Sequence, residues 1–160
     1  MSRIRGLGTD ILHVSRIEKI FKRGPEPFSI SKHVTKLAER VLNPHKELPV
    51  FQDYRNQNTD SGFRECVRLF ATSWASKEAV YKCLDPAEQR KFSMAHWYKQ
   101  NDQHGRPFII GPQYSKIHPM DKFLLSVSHD ADLVTATVIR SEDGDPISGL
   151  SEAGIRQTTP

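Results

Sequence analysis

At 160 residues the chain is long enough for one domain with its own core, without disulfides. Its 37% hydrophobic content and its 23 basic against 19 acidic residues leave a net charge of +4, which suits an acidic protein or a phosphate-bearing ligand. A nucleic-acid binder concentrates its cations more strongly, and no apolar run approaches the ~18 residues of a membrane span, so neither nucleic acid nor membrane is expected as partner.

The first predicted element is a strand, RGLGTDILHV at 5–14, with Asp10 in its middle. Strands disfavour Asp, so this carboxylate needs a purpose. GLG at 6–8 fails as a dinucleotide loop, because Ile11 stands where the third small residue belongs. Ser15 and Glu18 match a capping box for a helix over 16–23, which Gly24-Pro25 stops. Arg16, Lys19 and Arg23 share a face of it; on spacing alone that is a solvated face. Val34, Leu37, Ala38, Val41 and Leu42 predict a second amphipathic helix, ended by Asn43-Pro44. Residues 49–62, PVFQDYRNQNTDSG, have no period and read as a polar loop.

The longest predicted helix, FRECVRLFATSWASKEAVYKCL at 63–84, spans on the order of 30 Å and serves as the packing spine. Cys66 and Cys83 both fall on it, so they cannot bridge each other and are expected as reduced core residues. Asp85-Pro86 closes the helix and opens a short turn with Glu88 as capping partner. Two hairpins follow: KFSMAHWYKQ and RPFIIG around NDQHG, then KFLLSVSH and LVTATVIR around DAD. Residues 141–160 lack period and aromatics and are expected as a mobile tail after a domain at 1–140. Strand, then helices, then strands predicts an α+β fold, an antiparallel sheet packed on the long central helix.

Three places could carry chemistry. Glu78 and Lys82, four apart in WASKEAVYKC, share a helix face with Trp74 one turn earlier. A surface Glu–Lys pair worth ~0.2–0.5 kcal/mol would explain them on an arbitrary helix. Here they fall in the apolar second half of the most apolar helix. His129 closes the polar strand end SVSHDAD, with Ser126, Ser128 and Asp130. Asp10 and Glu78, with water and phosphate oxygens, would meet the octahedral demand of magnesium, and Lys82 would add a point charge for a phosphate.

GLGTDILHVSRI, AERVL, WASKEAVYKC, HGRPFI and SVSHD, in this order over residues 4–139, resemble the 4'-phosphopantetheinyl transferases. Within that superfamily they are similar to the holo-acyl-carrier-protein synthase branch, with its Gly-x-Asp and its Trp/Phe-x-x-Lys-Glu-Ala-x-x-Lys. The resemblance implies transfer of 4'-phosphopantetheine from coenzyme A to a serine of an acidic acyl-carrier protein. It further implies release of 3',5'-ADP, magnesium as cofactor, and a homotrimer with interface active sites. By position, Asp10 and Glu78 match the magnesium ligands and Lys82 the lysine that contacts coenzyme A phosphate. Trp74, Pro107 and His129 are matched to the coenzyme pocket. Arg16 matches a carrier-protein contact, which Lys19, Arg23 and Arg40 would join. The chain departs from the bacterial pattern at Ser73, where arginine is common, and in its longer 49–62 and 141–160 segments. These extensions resemble stand-alone fungal mitochondrial forms. No signal peptide or clear presequence opens the chain, so the expected location, mitochondrial or cytoplasmic, leans to the mitochondrion on resemblance alone.

Two other readings compete: a non-enzymatic module for nucleotides or acidic proteins, and a magnesium phosphohydrolase. Release of 3',5'-ADP only in the presence of carrier protein would exclude both.

Overall fold

In a computed structural model, which describes residues 2–143, five antiparallel strands form one sheet in the order β1-β5-β4-β3-β2. They are β1 (Arg3–His13), β2 (Tyr98–Asn101), β3 (Pro107–Ile110), β4 (Asp121–Asp130) and β5 (Leu133–Glu142). Between β1 and β2 lie helices α1 (Val14–Phe21), α2 (Lys32–Val41), α3 (Leu48–Asn56), α4 (Asp60–Cys83) and α5 (Pro86–Gln89); α6 (Pro112–Ile117) precedes β4. This is the expected α+β architecture, with α4 laid against β1 and β5.

Side-chain alternation gives the sheet two unlike faces. Gly6, Gly8, Asp10 and Leu12 of β1 are aligned with Arg140, Val138, Ala136 and Val134 of β5 on the side toward α4. The core joins Leu12, Val134, Ala136 and Val138 to Ala75, Ala79 and Val80 of α4. No other described element covers the opposite face. There Ile4, Leu7, Ile11 and Leu124 stay 61–70% exposed, and Leu7 and Leu124 flank Ile139 in one row.

The closest approach between sheet and helix is at two glycines. A Cβ on Gly6 would come within 2.2 Å of the Cys83 carbonyl oxygen, and one on Gly8 within 1.9 Å of that of Ala79. Only a missing side chain lets β1 lie this close to the α4 backbone.

Inside the helical layer, α4 is fixed in rotation by a buried ion pair. Lys77 and Glu47 have side chains 0% and 2% exposed, and Nζ donates to Oε2 at 2.5 Å. Lys77 Nζ also donates to the Val41 carbonyl at 2.6 Å. Glu47 accepts from Ser73 Oγ (3.0 Å), Asn43 N–H (2.9 Å) and Lys99 N–H (2.9 Å). Every demand of this carboxylate is met from three separate segments; removing one partner of such a pair costs ~3–5 kcal/mol. Ser73, the departure from the bacterial pattern, is thus a fully buried part of this network. At the other end of the sheet Arg140 bridges Asp121 (2.7 Å) and Asp85 (2.9 Å).

Several expectations need correction. α1 starts at Val14, and Ser15 does not cap it; no local side chain does. Instead Asp132, from the turn between β4 and β5, takes the Ser15 N–H and hydroxyl, each at 2.7 Å, and its carbonyl takes the Val14 N–H at 2.8 Å. A cap brought from 117 residues away leaves no trace in the local pattern. The polar loop at 49–62 is mostly helical: α3 holds Phe51 and Arg55, both buried, and Thr59 caps α4 by accepting from Gly62 N–H at 3.0 Å. The strand expected over 91–100 shrinks to Tyr98–Asn101 behind a 3-10 turn at Met94–His96. α6 falls in a segment assigned no element from sequence. β5 passes 140 to pair Ser141 with Ile4 and Glu142 with Arg3, so the sheet includes the first two residues of the expected tail. The rest of that tail, from 144 on, lies outside the described residues. Cys66 and Cys83 are free and buried, as expected.

Gly8→Ala is expected to lose about 3 kcal/mol in urea unfolding, as over-packing against backbone does. Unchanged stability would mean that β1 is free to retreat from α4.

Candidate active site

Asp10 follows Gly6 and Gly8 on the helix-facing row of β1. On α4, every residue from Phe70 to Val80 is buried except Trp74 and Glu78. With Tyr81 and Lys82 these form the exposed stripe of the second half of the helix, one and two turns apart. Because the glycines hold strand and helix together, the stripe meets the Asp10 row. Lys82 Nζ donates to Asp10 Oδ1 at 2.8 Å and to the Thr9 carbonyl at 2.9 Å. Asp10 keeps only 15% of its side chain exposed, Lys82 45%.

Burial first, and then the Asp10 charge, push the Glu78 carboxyl above the ordinary value of 4.5, while Lys82 pulls it back. Asp10 and Glu78 thus feel each other as like charges, with one ammonium beside them. A hard divalent cation that keeps water and phosphate ligands needs only one or two carboxylates from the protein. Among the described residues no group of three or more His, Cys, Asp or Glu is placed to hold a metal. The two-carboxylate pair fits an ion shared with a phosphorylated ligand, and does not fit an all-protein cage.

The remaining candidates are spread more widely. Trp74 is half-buried and tilted against Phe70 at 5.8 Å, so its ring is part core and part site wall. His129 is exposed at the end of β4, opposite Val134 and in the row next to that of Asp10 on the same face. It sits two strands from β1, roughly 10 Å across the sheet. Pro107 opens β3, three strands from β1 and roughly 14 Å across. One chain therefore brings together Asp10, Glu78, Lys82 and Trp74, but not Pro107.

Arg16 and Lys19 are exposed on α1. Arg23 is exposed too, but it lies past the helix end, its N–H on the Ile20 carbonyl at 3.2 Å. Arg40 is exposed on α2. None of the four is in an ion pair with another described residue.

Sequence reasoning passed over the supports of the site: Asp132, Glu47 and the fate of Lys77. One signal was available. Cys66, Phe70, Ser73, Lys77 and Val80 recur at i, i+4, i+7, i+11 and i+14, which puts Lys77 on the buried face.

In EDTA, Glu78→Gln is expected to be more stable than the parent at neutral pH. A carboxyl whose folded pKa is raised gives full stability below its unfolded value, near 4.5, and loses it as pH rises through the folded one. The gain of the variant should shrink on acidification toward pH 4. A gain that grows toward acid would reverse the assigned sign.

The model of the 4'-phosphopantetheinyl transferase superfamily matches residues 6–138. A holo-[acyl-carrier-protein] synthase of Ehrlichia canis is 32% identical over 136 residues, 85% of this chain and 93% of that one. A Schizosaccharomyces pombe protein provisionally named for the same synthase is 29% identical over 136 residues, 84% and 93% of the two chains. A solved holo-(acyl-carrier-protein) synthase of Bacillus anthracis, in complex with CoA (3',5'-ADP), shares the fold. Its TM-score is 0.57 at 23% identity, over 88% of this chain and 98% of that one. With the match spanning the strand and the long helix that build the site, and the two hairpins beside them, the chain belongs to the 4'-phosphopantetheinyl transferase superfamily, in its holo-acyl-carrier-protein synthase branch.

Proposed function

We propose that the chain transfers 4'-phosphopantetheine from coenzyme A to a serine of an apo acyl-carrier protein, with release of 3',5'-ADP and dependence on magnesium. The convergence of Asp10, Glu78 and Lys82 carries this reading. Family membership, relatives named for this synthase, and a CoA-bound structural neighbour support it.

Asp10 and Glu78 would hold the magnesium, which would supply charge neutralisation for the diphosphate of coenzyme A. Lys82 gives up its hold on Asp10 to reach a phosphate oxygen, as an ammonium on a flexible stem can do. Trp74 walls the pocket. The carrier serine Oγ attacks the β-phosphorus, the bond to the bridging oxygen breaks, and 3',5'-ADP leaves. Glu78, through a water, takes the serine proton, and His129 is the competing acceptor. At saturating magnesium, loss of turnover in Glu78→Gln with retention in His129→Ala fits that assignment, and the reverse pattern moves the base to His129.

Pro107 and His129 lie across the sheet from Asp10, so they reach a coenzyme pocket from a neighbouring copy. The uncovered apolar face with Ile4, Leu7, Ile11 and Leu124 supports such association, as a homotrimer with active sites between subunits. Mitochondrial location remains part of the same proposal, on resemblance.

Asp10→Ala is expected to keep the fold and lose roughly 10²–10³-fold in magnesium-dependent transfer. Mass spectrometry of the carrier reads it as loss of the gain of about 340 Da that one phosphopantetheine adds. Full activity in this variant would overturn the site.

Arg16, Lys19, Arg23 and Arg40 give an acidic carrier its docking charges. Arg16→Glu is expected to raise the KM for carrier about tenfold and to flatten its salt dependence, with the KM for coenzyme A unchanged. Equal changes in both constants would move Arg16 into the coenzyme pocket.

A further inference from the structure

A cavity of about 290 Å³ opens near the N-terminal end of α4. Its walls come from the segment after α1, the end of α3 and the first turn of α4. Phe63, in that turn, is fifteen positions from Glu78, on the order of 22 Å along the helix. The catalytic carboxylates therefore do not belong to this cavity.

Two rings make the apolar wall: Phe28 and Phe63 meet edge to face at 4.9 Å. Each ring carries a cation. Lys22 Nζ lies 5.1 Å from the Phe63 centroid, and Arg55 Cζ lies 5.5 Å from that of Phe28. Lys22 is exposed, while Arg55 is only 8% exposed.

Arg55 is a buried cation without a carboxylate. Its Nε, Nη1 and Nη2 donate to the Phe28 carbonyl (2.9 Å), Thr35 Oγ1 (2.8 Å) and the Ser31 carbonyl (2.8 Å). Among the described residues no acid comes within 4.0 Å of it. A guanidinium has five N–H groups, so two have no partner among the described residues. Burial presses on the charged form, yet an arginine does not give up its proton. A buried charge of this kind calls for an anion.

Asp60, in the first turn of α4, also lines the cavity and opposes negative charge there. Lys22 shares its charge with Glu18 at 3.8 Å, so one negative charge is offset chiefly by Arg55 with Lys22 beside it, whereas a second would face Asp60 unscreened. The volume is at the small end of ligand pockets, which run from roughly 300 Å³ upward.

We propose that this cavity is an accessory binding site for a small organic monoanion with a flat apolar body. Its carboxylate lies between Arg55 and Lys22, and its ring lies against Phe28 and Phe63. Asn58, at the rim with its backbone in the left-handed region (φ 51), offers an amide to the same carboxylate. The site stands apart from the phosphopantetheine chemistry.

The test uses the full chain, with benzoate, benzamide and phenyl phosphate as probes, followed by amide NMR shifts. Benzoate should give saturable shifts in the millimolar range confined to the segments around Lys22, Phe28, Asn58 and Phe63. Benzamide, the uncharged isostere, should give none, and phenyl phosphate should bind more weakly. Arg55→Met removes three structural bonds and risks unfolding, so Lys22→Met is the informative variant. It should weaken benzoate about tenfold with the spectrum otherwise preserved. Shifts that fail to saturate, equal response to benzamide, tighter binding of phenyl phosphate, or unchanged affinity in Lys22→Met would each overturn the proposal. Transfer activity enters none of these readouts, so they stand or fall apart from the proposed function.

Discussion

The contact that the rest of the molecule depends on is made by two missing side chains. Gly6 and Gly8 let β1 come so close to α4 that any Cβ would strike the carbonyl oxygens of Cys83 and Ala79. The next residue on that row, Asp10, then arrives beside the helix turn that carries Glu78 and Lys82. A strand held one side chain farther away would place the same residues beyond hydrogen-bond reach. The carboxylate that looks misplaced in a strand is there because the strand is pressed onto a helix.

The proximity has a cost, and the structure meets it with buried charge elsewhere. Adjacent residues of α4 have opposite fates. Lys77 points inward to Glu47, and Glu78 lies on the outward stripe, where the Asp10 charge reaches it. A rotation of α4 would release both at once. The Lys77–Glu47 network, tied to Ser73, Asn43 and Lys99, holds the rotation that the site requires. Arg140 with Asp121 and Asp85 does the same where the helix ends against the sheet. Asp132 fixes the start of α1, and with it the placement of Arg16 and Lys19. Two exposed basic residues thus depend for their direction on one distant carboxylate.

How much of this was legible depended on how local each cause was. The second amphipathic helix, the long helix and the two hairpins follow from periodicity and turn residues, and they stand with shifts of a few positions, except the first hairpin strand, which shrinks to Tyr98–Asn101. Asp10, Glu78 and Lys82 were singled out because a short motif on one helix and one anomaly on one strand sufficed to name them. What stayed hidden is tertiary. The cap of α1 is supplied by Asp132, so the Ser15–Glu18 pattern pointed to the wrong start. α3 is held by Phe51 and Arg55 on a sequence whose polar residues mask the period. Lys77 could be placed on the buried face of its helix, but nothing near it in the sequence singles out Glu47 among 19 acids. The distance of Pro107 from Asp10 is set by strand order, which hairpin signals alone do not give.

The account rests on Asp10 and Glu78 acting as one divalent-ion site, and a paramagnetic ion tests this most directly. With coenzyme A present, manganese should broaden amide signals around residues 9–11 and 78–82, and the broadening should vanish in Asp10→Asn/Glu78→Gln. Broadening centred elsewhere, or unchanged in the double variant, would contradict the account.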